Sequence, residues 1–216
     1  MFGVGESFQV RGVTVEVLDF DGTAFTVVAT GAPVSERFID DNGNIHEAAI
    51  EAIANVGVTA GCNATLDRYC PTRGVTRAEM AAFLLRALGD TTPPTATGTF
   101  TDVPQGAWYT ASVERLAELG ISMGYGDGTF RPSAQVSRAE MAVFLTRAFD
   151  AIPEGQPAGV FADVSDDAWY AGAVEGIRAA GVTQGCATEP LRYCPGAAVA
   201  RDAMASFLAR TLGLTG

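Results

Sequence analysis

An arginine recurs at one place in a repeated motif, and its position could make it a contact for an anionic ligand. The motif reads Val-Thr-Arg-Ala-Glu-Met at residues 75–80, Val-Ser-Arg-Ala-Glu-Met at 136–141 and, in a degenerate form, Val-Ala-Arg-Asp-Ala-Met at 199–204. In the first two copies a hydroxyl residue is followed three positions later by glutamate, a capping box that predicts the start of a helix. Arg77, Arg138 and Arg201 are therefore each the first residue of a predicted helix.

Helix capping does not account for these arginines, because a cation opposes the positive end of a helix dipole. Amides at a helix N-terminus and an adjacent guanidinium together suit a carboxylate or a phosphate. We therefore expect Arg77 and Arg138 to contact an anionic ligand. The third motif lacks both the cap hydroxyl and the glutamate, so we expect a weaker helix start and a weaker site at Arg201.

The motif closes a unit that occurs three times. Its opening phrase, Phe-x-Asp, begins at Phe38, Phe100 and Phe161, at intervals of 62 and 61 residues. Each unit predicts two helices with apolar residues spaced i, i+3, i+4; the first ends at a glycine and the second begins at the motif. A single helical pair cannot bury its apolar face without its neighbours. The sequence thus predicts a mainly α fold of three helix–loop–helix repeats, at residues 36–90, 98–151 and 159–216.

The first 35 residues differ in kind from the repeats. Alternating valines precede a predicted turn at Asp19-Phe20-Asp21-Gly22 and more β-formers follow it, which predicts a β-hairpin. Asp19 and Asp21 could bind calcium, but an Asp-Gly hairpin turn explains them without a metal. We expect residues 1–35 to be the end of an upstream domain.

Four cysteines form two pairs at equivalent places in the first and third repeats, Cys62 with Cys70 and Cys186 with Cys194. Each pair brackets one loop, which predicts two local disulfides and an oxidising, extracellular setting. Zinc is the alternative, but zinc sites favour more closely spaced cysteines and the sequence has one histidine, His46. The sequence therefore predicts no metal and no cofactor.

Composition excludes several classes of function. The net charge is −11 and all 14 basic residues are arginine, so a nucleic acid would be repelled by the overall field. No apolar run reaches the length of a membrane span, and no signal peptide is visible at the N-terminus. Because no combination of nucleophile, base and orienting residue stands out, we expect the chain not to be an enzyme.

Taken in order, the phrases Phe-x-Asp-Val, Ala-Trp-Tyr, Gly-Ile, Gly-Tyr-Gly-Asp-Gly-Thr-Phe-Arg-Pro and Ser-Arg-Ala-Glu-Met resemble the S-layer homology family over residues 38–214. The resemblance implies three prongs around a pseudo-threefold axis and non-covalent anchoring to an anionic, often pyruvylated, cell-wall polysaccharide. It places the ligand in grooves between prongs, with Arg77 and Arg138 as anion contacts. Glu79 and Glu140 would orient the groove wall and cap the helices.

Further candidate ligand contacts follow from the same resemblance. Gly126 and Asp127 belong to the Gly-Asp-Gly loop, which the middle repeat alone retains. Trp108 and Trp169 could stack on a sugar, although a lid on the core is the alternative we favour. The first repeat has Ile45-His46 in place of Trp-Tyr, so at most two grooves look conventional.

The leading hypothesis is a secreted module that anchors a protein to the cell wall or cell surface by binding polysaccharide. A structural or adhesive module that contacts other proteins is the alternative, supported by the degenerate third motif. A third hypothesis makes the chain the C-terminal anchor of a secreted hydrolase whose catalytic domain lies upstream.

Overall fold

The computed structural model describes residues 7–10, 13–20, 25–30, 37–95 and 98–214. The chain divides into two compact units, residues 1–37 and 38–216. The first contains the antiparallel strands β1 (Ser7–Val10), β2 (Val13–Phe20) and β3 (Phe25–Thr30), in the order β1-β2-β3. The hairpin of β2 and β3 was predicted and β1 was not.

The predicted hairpin turn is wrong in its first two residues. Asp19 and Phe20 lie in β2, where they pair with Thr26 and Phe25 beyond a register shift at Val17. Extended pairing therefore continues further along the chain than the Asp-Gly signal indicated. Asp21 and Gly22 lie outside the described residues.

The second unit is helical, with a small two-stranded sheet near its C-terminal end. Its elements are α1 (Glu47–Asn55), α2 (Arg77–Leu88), α3 (Thr110–Glu118), α4 (Arg138–Ala148), α5 (Ala171–Ala179), β4 (Ala187–Thr188), β5 (Leu191–Arg192) and α6 (Arg201–Thr211). The helix signals are confirmed: Thr76 and Ser137 form complete capping boxes. Gly57, Gly120 and Gly181, just past α1, α3 and α5, have φ of 80°, 70° and 72°, a left-handed conformation that suits glycine. Among the described residues, none of the helices is both long and apolar enough to cross a membrane.

Three valines join the repeats into a closed ring. The amide of Val75 donates to the carbonyl of Val199, that of Val136 to Val75 and that of Val199 to Val136, each at 2.9 Å. Because each repeat donates to one neighbour and accepts from the other, these bonds surround a pseudo-threefold axis, as the resemblance implied. All three valines are buried.

Helices pack chiefly between repeats rather than within them. The second helix of each repeat packs against the first helix of the next one, in the pairs α2–α3, α4–α5 and α6–α1. The last pair closes the ring from the third repeat back to the first. One continuous core results, in which the opening phenylalanine of each repeat also packs on an aromatic residue of its own loop, as in Phe38–Tyr69 and Phe100–Phe130.

Candidate functional site: the grooves between repeats

The amides at the start of α2, α4 and α6 are already occupied. The first two amides of each helix donate to carbonyls in the loop of the next repeat; for α2 these are Arg77 N to Ala134 O at 2.8 Å and Ala78 N to Pro132 O at 3.0 Å. Equivalent bonds run from α4 to Pro195 and Ala197, and from α6 to Pro71 and Arg73. The expectation that these amides bind an anion is therefore wrong, because they hold the ring together.

Arg77 extends from the first repeat into the second, where it is buried at 4% exposure. Its Nε donates to the Phe130 carbonyl at 2.7 Å, and its Nη1 forms an ion pair with Glu140 at 2.8 Å. Its guanidinium also lies over aromatic rings, among them Phe130 at 4.7 Å and Phe144 at 5.4 Å. These interactions offset the unfavourable interaction of the Arg77 charge with the helix dipole, and no ligand is needed to do so.

Arg201 repeats this arrangement at the junction of the third repeat with the first. It is 2% exposed, and its Nε donates to the Tyr69 carbonyl at 2.8 Å. Its Nη1 lies 3.4 Å from Glu79, and its Nη2 donates to the Gly61 carbonyl at 3.3 Å. Although the cap of α6 is degenerate, and Ala200 makes no side-chain cap bond, its arginine is as deeply buried as Arg77 and makes the same kinds of contact.

Arg138 has the same backbone contact but no carboxylate partner among the described residues. Its Nε donates to the Tyr193 carbonyl at 2.7 Å, and its guanidinium lies over the rings of Tyr193 and Phe207. The position that Glu140 and Glu79 occupy for the other arginines is Ala203 here. Arg138 Nη2 is buried without a hydrogen-bond partner, whereas the Nη2 atoms of Arg77 and Arg201 contact Ser122 Oγ and the Gly61 carbonyl.

Glu79 and Glu140 each perform two structural roles. Each caps its own helix and receives the arginine of the preceding repeat. Desolvation opposes ionisation of Glu140, but hydrogen bonds from Ser137 and the charge of Arg77 outweigh it, so the pKa of Glu140 is lowered. The pKa of Glu79 is lowered in the same way, mainly by Arg73 and Thr76. Both side chains therefore stay charged at neutral pH.

A cavity of about 410 Å³ lies along the groove of Arg77. Its lining combines charged groups with large apolar and aromatic surfaces, notably Arg77, Glu140, Met123, Tyr125, Phe144 and Trp169. The hydroxyl of Tyr125 donates to Glu140 at 3.1 Å. Two of the predicted contacts, Arg77 and Glu140, thus neutralise each other within this groove, and Trp169 adds an aromatic face.

Both tryptophans lie at the surface. Trp108 is 66% exposed and Trp169 is 68% exposed, so the interpretation that they cover the core is wrong. Each indole packs nearly perpendicular to the ring of the tyrosine that follows it, Tyr109 or Tyr170. The tyrosines pack against the core instead. A tryptophan that is supported on one side and exposed on the other can stack on a sugar ring.

Gly126 and Asp127 are exposed, and the side chain of Asp127 contacts residues of its own loop. Asp127 accepts hydrogen bonds from Thr129 and forms an ion pair with Arg131 at 2.9 Å. The hydrogen bonds from Thr129 and Arg131 lower the pKa of Asp127 to about 2. The equivalent loops of the first and third repeats are closed by the predicted disulfides, Cys62–Cys70 and Cys186–Cys194.

The aspartates of the opening phrase join that phrase to the end of the loop. Asp102 accepts from the amides of Phe130 and Arg131 at 2.7 and 2.8 Å, and Asp40 and Asp163 do the same in their own repeats. These aspartates do not cap local turns, because their partners lie 28 to 31 residues away in the sequence. Asp40 and Asp163 also lie close to the cysteine sulfurs, but disulfide-bonded sulfur offers no thiolate to a metal.

Closure of the ring brings His46 into a second groove, which the sequence did not indicate. His46 precedes α1 at the position of Tyr109 and Tyr170, as expected, but its Nδ1 lies 2.7 Å from Ser206 Oγ on α6. A cavity of about 180 Å³ adjoins this pair and reaches Arg138 and Arg210. A spacing of 160 residues hides such a pairing from any local pattern.

Comparison with known proteins follows the repeat structure. The family model of the S-layer homology domain matches residues 99–142, the middle repeat. The surface-layer 125 kDa protein of Lysinibacillus sphaericus is 30% identical over 96% of this chain and 17% of its own length. The amylopullulanase of Thermoanaerobacterium thermosulfurigenes is 30% identical over 69% of this chain and 8% of its own. For the outer membrane protein SlpA of Deinococcus radiodurans the identity is 41%, over 29% of this chain and 6% of SlpA.

The chain therefore spans a small part of the length of these relatives. The predicted location at the cell surface agrees with their names, which include surface-layer and outer-membrane proteins. The matched middle repeat and the ring of three equivalent units together identify the chain as an array of S-layer homology repeats.

Proposed function

We propose that this chain anchors a protein to the cell surface by binding a cell-wall polysaccharide in the grooves between its repeats. The observation that carries the proposal is the groove of Arg77, where the exposed face of Trp169 borders a cavity of about 410 Å³ that also contains charged groups. Sugars are recognised by such a combination, because an aromatic face stacks on the ring and polar groups bind its hydroxyls.

The role of a cargo anchor is supported by the relatives. They include a surface-layer protein, an amylopullulanase and a cellulosome-anchoring protein of Acetivibrio thermocellus, which is 32% identical over half of this chain. An alignment that covers 8% of an amylopullulanase gives no ground for assigning its activity to this chain. We propose that any catalytic activity would belong to an attached domain upstream.

A structural or adhesive module is the second candidate. It is favoured by one observation: the arginines of the repeated motif serve the ring itself, since Arg77 and Arg201 are buried and ion-paired between repeats. In that case the motif would be kept for folding, and the grooves would need no ligand.

Binding to purified cell walls from the producing organism, before and after extraction of their secondary polymers, separates the two candidates. We expect the chain to sediment with intact walls and to stay in solution with extracted ones. Trp169→Ala should weaken wall binding about five- to thirtyfold, since stacking on a ring contributes roughly 1 to 2 kcal/mol, while Trp169→Phe retains a stacking face and should lose less. Equal binding to intact and extracted walls would contradict the polysaccharide-binding proposal and favour the structural or adhesive module.

A further inference from the structure

We propose that each cysteine pair, once its disulfide is reduced, binds a zinc ion together with the aspartate that opens its repeat. The two sets of ligands are Asp40, Cys62 and Cys70, and Asp163, Cys186 and Cys194. The disulfide and the zinc ion are then alternative ways of closing the same loop. This inference concerns the loops and does not rest on the proposed function, which concerns the grooves.

The three ligands of each set already lie together. One carboxylate oxygen and the two sulfurs are all within 4.8 Å of one another. The cysteines are 8 residues apart in the sequence, but the Cα atoms of each pair are only 6.0 Å apart in the first repeat and 6.1 Å in the third. Two sulfurs on one tetrahedral zinc ion, each about 2.3 Å from the metal, lie roughly 3.8 Å apart. Rotation of the two side chains supplies that separation and leaves the backbone in place.

The middle repeat shows that this loop closes without a disulfide. Tyr125 and Arg131 occupy the positions of the two cysteines, and the guanidinium of Arg131 lies over the Tyr125 ring at 3.9 Å. The amide of Tyr125 donates across the loop to the Thr129 carbonyl at 2.8 Å, as the amide of Cys62 does to the Arg68 carbonyl at 2.7 Å. The third repeat has the same bond. We therefore expect reduction to leave the two thiols side by side in a folded loop.

The aspartate is also held in place independently of the disulfide. Asp40 accepts hydrogen bonds from the amides of Tyr69 and Cys70 at 2.7 and 2.9 Å, and Asp163 makes the equivalent pair of bonds. Asp102 makes them too, in a repeat that has no cysteine. Because a carboxylate offers about four lone pairs, two amides can orient it and still leave an oxygen lone pair for a metal.

The chemistry of the ligands favours zinc. Thiolates bind borderline or soft cations in preference to Mg²⁺ or Ca²⁺. Two thiolates and one carboxylate carry one negative charge more than a divalent ion neutralises. Each aspartate interacts electrostatically with an arginine of a neighbouring repeat, Asp40 with Arg201 and Asp163 with Arg138, and that cation offsets the excess. The sites are not fully buried, so water can occupy the fourth position of a tetrahedral ion.

The exchange between the two closures is balanced in electrons and protons. Two thiols of a reductant open the disulfide, leave as one disulfide of their own, and convert the cysteines to thiols. Zinc then binds as both cysteine thiols lose their protons. In the reverse direction a disulfide oxidant takes two electrons from the pair of thiolates, the bond between the cysteines forms and the zinc ion leaves. Zinc thus keeps the thiols paired for as long as the surroundings are reducing.

The test is titration of the whole chain with ZnCl₂ in competition with a chromophoric chelator, under nitrogen. The chain is first reduced with a phosphine, which is oxidised to its oxide and adds no competing thiol. We expect two zinc ions per reduced chain and none per oxidised chain. Co²⁺ in place of Zn²⁺ should give the visible absorption of a tetrahedral ion with two thiolates at each site. A single ion held by four thiolates would overturn the proposal, as would a reduced chain that has lost its folded circular dichroism.

The middle repeat supplies the control for the cysteines. Cys62→Tyr combined with Cys70→Arg copies the pair found there, so the loop should stay closed and the reduced chain should bind one zinc ion. Two zinc ions in this variant would place the metal elsewhere and overturn the proposal.

The aspartates have a matched control as well. Asp40→Asn combined with Asp163→Asn keeps all four thiols and should weaken zinc binding about tenfold or more. Asp102→Asn loses the same amide acceptor where there is no thiol, and should leave zinc affinity unchanged. Unchanged affinity in the double variant, or equal weakening by Asp102→Asn, would overturn the role of the aspartates.

Oxidation of the zinc-loaded chain tests the exchange itself. Oxidised glutathione should release both zinc ions as the four thiols disappear, at one ion for every two thiols. Zinc that remains bound after the thiols are lost would show that the sulfurs do not hold it, and would overturn the proposal.

Discussion

Tyr69 and Arg201 form a reciprocal pair of hydrogen bonds across the junction of the third and first repeats. The Tyr69 hydroxyl donates to the Arg201 carbonyl at 2.7 Å, and Arg201 Nε donates to the Tyr69 carbonyl at 2.8 Å. Tyr193 and Arg138 repeat the pair at 2.7 Å in both directions. In the middle repeat the aromatic residue is Phe130. Arg77 Nε donates a hydrogen bond to its carbonyl, but phenylalanine has no hydroxyl to donate one back to the Arg77 carbonyl.

The middle repeat, which has Phe130 in place of the tyrosine, suggests a test of how much the Tyr69 hydroxyl contributes to the free energy of unfolding. Tyr69→Phe reproduces the arrangement at Phe130, keeps the ring and loses one buried hydrogen bond, so we expect a loss of about 1 kcal/mol in the free energy of unfolding. Urea denaturation measures it. A loss above about 3 kcal/mol would show that the hydroxyl holds more than this one bond.

The three arginines should differ in their contribution to stability. Arg77→Ala breaks an ion pair at a buried guanidinium and leaves Glu140 without its partner, so we expect a loss of about 3 kcal/mol. Arg138→Ala removes a charge that has no carboxylate partner among the described residues, so its cost should be clearly smaller. Thermal and urea unfolding of the two variants provide the comparison. A larger loss for Arg138→Ala would contradict the pairing seen here.

Asp41 should make the protein less stable at high pH. It is 2% exposed, one oxygen has no hydrogen-bond partner, and valines occupy the equivalent positions 103 and 164. Burial, with repulsion from Glu51 and Glu47, raises the pKa of Asp41 from 3.8 to about 6. The folded state thus binds this proton more tightly than the unfolded state, and the stability gained below pH 4 is lost as the pH rises through 6.

Asp41→Asn tests this dependence. At pH 8 we expect the variant to be more stable than the unaltered chain by about 2 to 3 kcal/mol, because the penalty for the buried charge is absent. At pH 4 the two proteins should differ little. Urea denaturation at both values is the measurement, and a difference independent of pH would assign the effect to packing instead.

Deletion of residues 160–216 should abolish cooperative unfolding of the remaining repeats. The deletion removes α5 and α6, which cover α4 and α1, and it removes Val199 from the central ring. Calorimetry should show a broad or absent transition. A sharp transition at an unchanged temperature would mean that two repeats fold without the third.

Local patterns in the sequence were sufficient to predict the elements of this fold. The capping boxes at Thr76 and Ser137, the left-handed glycines after the first helices and both disulfides depend on residues close in the chain, and all are confirmed. The repeats and their family were predictable for the same reason, since the motif recurs at a constant spacing.

The environment of the arginines was not predictable in this way. An argument from the dipole of an isolated helix predicted that Arg77 binds an anionic ligand. In the folded chain, however, its partner is a glutamate 63 residues away, in the next repeat. One signal was present in the sequence. The two copies of the motif that keep the glutamate can form an ion pair with the arginine of the preceding repeat, and the third copy, which has Ala203 at that position, cannot. That signal can be interpreted only once the structure shows which repeat receives the arginine of which other repeat around the ring.

The ring of Val75, Val136 and Val199 limits how this protein can grow. In an open stack of repeats, each end offers a free edge to which a duplicated unit can be added. Here the first and last repeats already occupy each other's edges, through Val199 and Val75 and through α6 and α1. A fourth unit would find no free edge in this ring, so lengthening by gene duplication has to proceed through a second ring rather than one repeat at a time.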